Sequence, residues 1–167
     1  MKALVVYESH WGNTAAVARA VAEGIGEGTT ALSTGEADAA AVPGLDLLVV
    51  GAPVLGFRLA NEQMYKTMRS QPSKGNPPDL SHPPVSVWLR SVPSGASAVA
   101  AFDTRVRGPF GKAAPAILKL LAQRGYRSLT GPAGFLVKGT QGPMREGELD
   151  RAREWGRELA ETYSPGH

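Results

Sequence analysis

Three short, mostly apolar runs constrain this chain most: residues 3–7, 45–50 and 98–102. They are too short for buried helices and show no polar alternation, so they predict strands buried on both faces, as in parallel sheets. Between and after them apolar residues recur at helical spacing. Val17, Val21 and Ile25 follow the first run, and Val85, Trp88, Leu89 and Val92 precede the third. Ile117, Leu118 and Leu121 come next, and Leu149, Ala152, Trp155, Leu159 and Tyr163 close the chain. Gly24, Gly26 and Gly28 stop the first helix and Gly125 a later one over 115–124. Thr30–Ser33 predicts a short second strand, followed by a helical turn over 36–41. Residues 128–137 predict a last strand broken by Gly131, Pro132 and Gly134.

Strands alternating with helices imply right-handed crossovers and a sheet covered on both sides. The expectation is one α/β domain over residues 1–167: a doubly wound, five-stranded parallel sheet in the order 2-1-3-4-5 with helices on both faces. Residues 54–84 contain a candidate helix over 61–69, then Pro72, Gly75, Pro77, Pro78, Pro83 and Pro84. So many breakers predict a long Pro/Gly-rich loop.

Composition excludes several chemistries. No run approaches the roughly 20 apolar residues of a membrane span. The opening residues lack the layout of a secretory leader, so a cytoplasmic location is expected. With no cysteine there is no disulfide framework, thiolate metal site or thiol redox chemistry, and any redox function must come from a bound cofactor. His10, His82 and His167 lack metal-ligand spacing, and no nucleophile elbow is present; neither a metal set nor a catalytic residue stands out. The net charge of +3 comes without a nucleic-acid module or an aromatic-studded basic stripe, so no nucleic-acid partner is expected. The excess is local: Arg105, Arg107, Lys112, Lys119, Arg124 and Arg127 face Asp103 alone.

In such sheets ligands bind beyond the carboxyl ends of the strands, near the switch point. That rule selects residues 8–14, 53–58 and 103–110. In the first, Ser9, His10, Trp11, Gly12, Asn13 and Thr14 join a buried strand to a helix. Backbone amides and the helix dipole there suit a phosphate, with Ser9 and Thr14 adding hydroxyls and Gly12 permitting close approach. The same residues also read as a helix cap. The ending Gly-Lys-Ser/Thr of a Walker loop is absent.

The run from Val5 through Thr14, with Ala18 and Val21 behind it, resembles the signature of the flavodoxin family, Ser/Thr-x-Thr-Gly-x-Thr after an aliphatic-aromatic strand end. Trp11 stands where the family has Thr; it either shields the site or packs as a plain hydrophobe. The resemblance implies the short-chain flavodoxin-like fold and FMN, with its phosphate in this turn. It implies that the flavin ring lies between Pro53, Val54, Leu55, Gly56 and Phe57 on one side and Asp103, Thr104, Arg105 and Phe110 on the other. Leu55 cannot stack as the family's tryptophan does; Phe57 either replaces it or anchors the loop. Phe110 falls at the position of the stacking tyrosine. Arg105 and Arg107, in place of the family's acidic surroundings, are either solvated charges or stabilise an anionic reduced flavin or substrate. The segment 138–144 either closes over the ring or is a plain connection. The implied function is an electron carrier, or an oxidoreductase acting on a small acceptor, with quinone and protoporphyrinogen types left open; the basic 103–127 segment, apart from the resemblance, points to an acidic or anionic partner. The alternative is a binding or regulatory module that has kept the fold and lost the flavin.

Overall fold

The computed structural model describes residues 1–72 and 75–163. Strand β1 (Ala3–Tyr7) pairs in parallel with β2 (Thr30–Ser33) on one side and β3 (Leu47–Leu55) on the other. β3 pairs with β5 (Ala98–Val106), and β5 with both β6 (Arg127–Ser128) and β7 (Ala133–Val137). β6 and β7 follow one another along the same edge of β5, so they act as one outer strand, interrupted around the expected Gly131-Pro132 break. The five positions therefore run 2-1-3-4-5, as the alternating pattern required.

Side-chain alternation along the strands builds two cores. Val5, Leu47, Val49, Ala100 and Phe102 meet Val17 and Val21 of α1 (Asn13–Ile25) and Leu159 of α5 (Glu148–Thr162). Val6, Leu48, Val50, Val99 and Ala101 meet Val85 and Leu89 of α3 (Val85–Arg90) and Ile117 and Leu121 of α4 (Ala114–Ala122). Burial of both strand faces is why these runs carried no alternation.

Four expectations need correction. The strand expected over 45–50 starts two residues later and extends to Leu55, because a 3₁₀ turn, Ala39–Gly44, occupies the approach. That turn lies later than the one expected over 36–41. The strand expected over 98–102 runs on to Val106, so Asp103, Thr104 and Arg105 sit in a strand rather than a loop. Residues 54–84 are loop over most of their described length but hold more regular structure than the breakers suggested. After β3 the chain makes a hairpin with β4 (Arg58–Leu59) and enters α2 (Glu62–Ser70), which Asn61 caps by accepting from the Met64 amide at 2.9 Å. Leu55, Ala60 and Tyr65 form a third small core that gives α2 a face to bury. The prolines cluster after it, where the described residues are irregular as far as α3. Residues 73–74 of that stretch and His167 lie outside the described residues.

Candidate functional site

The β1–α1 turn is held mostly by groups from other parts of the chain. The Glu8 amide donates to the Gly51 carbonyl (3.0 Å) and the Ser9 amide to His82 Nε2 (3.1 Å). The Gly12 amide donates to Ser9 Oγ (3.1 Å), and Gly12 itself adopts φ 91 as the N-cap of α1. Thr14 Oγ1 faces Thr104 Oγ1 of β5 at 2.8 Å. In that pair one hydroxyl donates to the other, and the second still has a proton to give. The Ser9 hydroxyl accepts from Gly12 and likewise keeps its proton available. With the first-turn amides of α1, which have no intrahelical partners, these form a set of neutral donors suited to an anion. Trp11 packs on the Leu55–Tyr65 cluster, donates its indole N–H to the Asn76 carbonyl (3.0 Å) and also borders the inner cleft of the site.

Behind the turn lies a buried polar cluster that sequence reasoning missed. Proton positions follow from the partners. His10 Nδ1 donates to the Asp79 carbonyl (2.9 Å), and its Nε2 meets Glu8 Oε2 at 2.8 Å, so these two groups share one proton. Glu8 is fully buried, and its Oε1 accepts from the Val85 amide at 2.8 Å. The Tyr65 hydroxyl lies 3.4 Å from His10 Nε2; burial, then the charge and hydrogen bond of Glu8, push its pKa up and keep it protonated. His82 stacks on His10, with ring centroids 5.7 Å apart. Its Nε2 accepts from Ser9 and so is unprotonated. Burial first, and His10 next, lower its pKa. From the sequence only His10, in the phosphate turn, and the strand-end position of Glu8 pointed toward this cluster. Nothing local marked Tyr65, Asp79 or His82.

The donors border a narrow inner cleft of about 30 Å³, room for a water-sized group. Ser9, His10, Trp11, Asn13 and Thr14 line it together with Pro53, Val54, Leu55, Thr104 and Arg105. It shares Val54, Arg105, Val106 and Thr140 with an outer cavity of about 340 Å³, which Gly56, Phe57 and Phe110 complete. Gly56 (φ 55) and Phe57 (φ 71) form the two-residue turn between β3 and β4, the left-handed pair a type I′ hairpin demands. Phe57 is 66% and Phe110 47% exposed, with centroids 6.3 Å apart; Phe57 is therefore no loop anchor. Leu55 is buried in the third core and reaches the site only as part of the cleft wall.

Asp103 stands behind the site and lines neither cavity. Its buried carboxylate accepts from the Ala113 and Ala114 amides (2.8 and 2.9 Å) at the start of α4, and Arg105 Nε lies 3.5 Å from its other oxygen. Arg105 thus is not a purely solvated charge. Its guanidinium lies on Gly134, where any Cβ would collide with it. The segment 138–144 borders the site: the Lys138 amide donates to the Pro143 carbonyl, Thr140 lines both cavities, and Gly142 rests on the Asn13 side chain. Arg58, Arg107, Lys112 and Lys138 are exposed and each lies within two residues of a cavity-lining residue; none of them is in an ion pair among the described residues. The two carboxylates equally near in sequence, Glu8 and Asp103, are both buried.

No family model matches this chain, and no curated protein does. Solved structures do. A flavodoxin from the domain Archaea superposes with TM-score 0.67 at 22% identity, covering 98% of this chain and 99% of that one. Flavodoxin 1 from Bacillus cereus gives 0.70 at 15% identity over 98% and 100%. A short-chain flavodoxin associated with a non-canonical PDU bacterial microcompartment gives 0.64 at 16% over 98% and 100%. By its strand order and by these likenesses over nearly its whole length, the chain has the flavodoxin-like fold.

Proposed function

We propose that the protein binds FMN and transfers electrons. One observation carries the reading: the donor-lined cleft at the β1–α1 turn runs into an outer cavity flanked by Phe57 and Phe110, at the carboxyl edge of the sheet beside its switch point. The donor chemistry fits a phosphate monoester, since every free donor in the turn is neutral. The ring-sized outer cavity with two exposed phenyl faces fits a planar aromatic group. The inner cleft is tight, so a phosphate there displaces the 140–142 segment outward from Asn13. When bound, FMN supplies one- or two-electron redox chemistry. The chain's own residues do the rest: Ser9, Thr14 and the α1 amides hold the phosphate, Phe57 and Phe110 cover the ring, and Arg105 places a cation at its edge.

Cations at Arg58, Arg107, Lys112 and Lys138 around two exposed rings make an acidic redox partner, or an anionic small acceptor, the complementary one. With an acidic ferredoxin as donor, the rate of flavin reduction is expected to fall steeply as salt rises, and Arg107→Glu to make that dependence shallower. A rate indifferent to salt removes the acidic partner.

The test of the main reading is direct. The purified protein is expected to show the visible bands of oxidised flavin, or to acquire them on titration with FMN. Thr14→Val is expected to weaken binding about tenfold, the worth of one hydrogen bond to a charged group. A colourless protein that takes up no FMN would instead support the module that has lost its flavin, which the tight cleft and the internally bonded Ser9 and Gly12 amides favour.

A further inference from the structure

The β1–α1 turn carries the ligand donors, yet its own shape depends on residues some seventy positions away. The Ser9 amide, at the centre of the turn, is satisfied by the Nε2 lone pair of His82 at 3.1 Å. His82 is 6% exposed and stacks on His10, which the Asp79 carbonyl and Glu8 clamp on either side. The Asp79 amide in turn donates to the His10 carbonyl at 2.8 Å. A Cβ at Gly35 would lie 3.3 Å from His82 Cβ, so the residues after β2 pack against the base of the His82 side chain.

We propose that His82 is a positioning residue for the phosphate turn: its neutral ring holds Ser9 in the binding conformation, and its protonation releases the turn and lowers affinity for a phosphate-bearing ligand. The affinity half of this inference rests on the FMN reading; the conformational half does not.

The chemistry is that of one lone pair. An imidazolium has a donor at both nitrogens. Once Nε2 carries a proton it opposes the Ser9 N–H, and a buried amide left without a partner costs about 1–3 kcal/mol. Ser9 must then turn away, taking with it the hydroxyl that holds the Gly12 amide. The surroundings decide where this happens. From the turn, Glu8 favours the imidazolium and His10 opposes it. From its own segment Asp79, 4.0 Å from Nδ1, favours it. Neutral Tyr65 and, farther out, Glu62, Lys66 and Arg69 face it from α2, and Arg19 and Glu36 share the cavity on the other side. Burial outweighs the favourable charges, so the folded pKa lies below 6.5. His82 therefore stays neutral at and above neutral pH, and protonation requires acid below its ordinary range.

His82→Gln tests this, since a glutamine oxygen can accept from Ser9 without titrating. The first measurement is the ¹⁵N–¹H resonance of Ser9 in FMN-free protein. In the wild type it is expected to shift with the midpoint of the His82 ring resonances, and in His82→Gln to stay flat. The second is FMN affinity at about pH 7.5 and about pH 5. The wild type is expected to lose roughly tenfold more than His82→Gln, which shows only the loss due to protonation of the FMN phosphate itself. A Ser9 resonance that ignores the His82 midpoint, or equal acid losses in both proteins, overturns the proposal. Ser9 tracking His82 in a protein that binds no FMN at any pH overturns the FMN reading and leaves the positioning role standing.

Discussion

Buried carboxylates do the most at single positions. Asp103 occupies a position where the flavodoxin signature suggested a contact to the ring, but its oxygens bind the first amides of α4 and face Arg105. Removing it strands two helix-terminal amides and a half-buried guanidinium. Asp103→Ala is expected to lower unfolding stability by about 3 kcal/mol in urea titrations, in the range for breaking a buried charge pair. Glu8 is the counterpart under the turn. In Glu8→Ala the buried Val85 amide and His10 Nε2 both lose their partner, and a loss of about 2 kcal/mol is expected in the same assay. Neither role was legible locally. A buried acidic side chain and an exposed one look alike in a sequence, because burial is a property of what packs around it.

Helix α1 lies against α5 with almost no side chain between them at two points. A Cβ at Gly24 would collide with the Arg153 carbonyl, and one at Gly156 with the Val21 carbonyl. Glycine in an exposed helix interior is normally improved by alanine, by about 1 kcal/mol. Here the sign reverses: Gly156→Ala is expected to destabilise by about 2 kcal/mol through forced separation of the two backbones, measured as a fall in Tm. The β3–β4 turn shows the opposite compromise. Phe57 is the one non-glycine residue with positive φ among the described residues, and its ring is exposed. Asn tolerates that conformation better, so Phe57→Asn is expected to raise stability by about 0.5–1 kcal/mol while weakening FMN binding, a trade of stability for function. The helices and strands themselves were legible from periodicity and breakers. This hairpin was not, because its turn lacks the Asn-Gly or Asp-Gly pair that marks such turns.

For the molecule as a whole, acid is the condition that separates the groups. The folded pKa of His82 lies below its ordinary 6.5, so the unfolded chain takes up that proton first. Its contribution is complete above pH 6.5 and is lost as pH falls through the folded value. Glu148 behaves alike at lower pH: hydrogen bonding from Arg151 holds it below its ordinary 4.5, so its stabilisation is present above that value and vanishes as acid protonates it. Tm is expected to fall in two stages on acidification, the first absent in His82→Gln and the second reduced in Glu148→Gln; a single stage unchanged by either variant would contradict this. What the sequence by itself determined is whatever depends on neighbours in the chain: the buried strands, the helices between them, the break near Gly131, and the donor-rich turn after β1. What only the tertiary structure decided is which distant groups meet there. Glu8 receives the Val85 amide, His10 the Asp79 carbonyl, Ser9 the His82 ring and Thr14 the Thr104 hydroxyl. The crossovers that bring α3 and β5 to the same sheet edge set those partnerships, and groups 69 to 90 positions apart have no local pattern that records them.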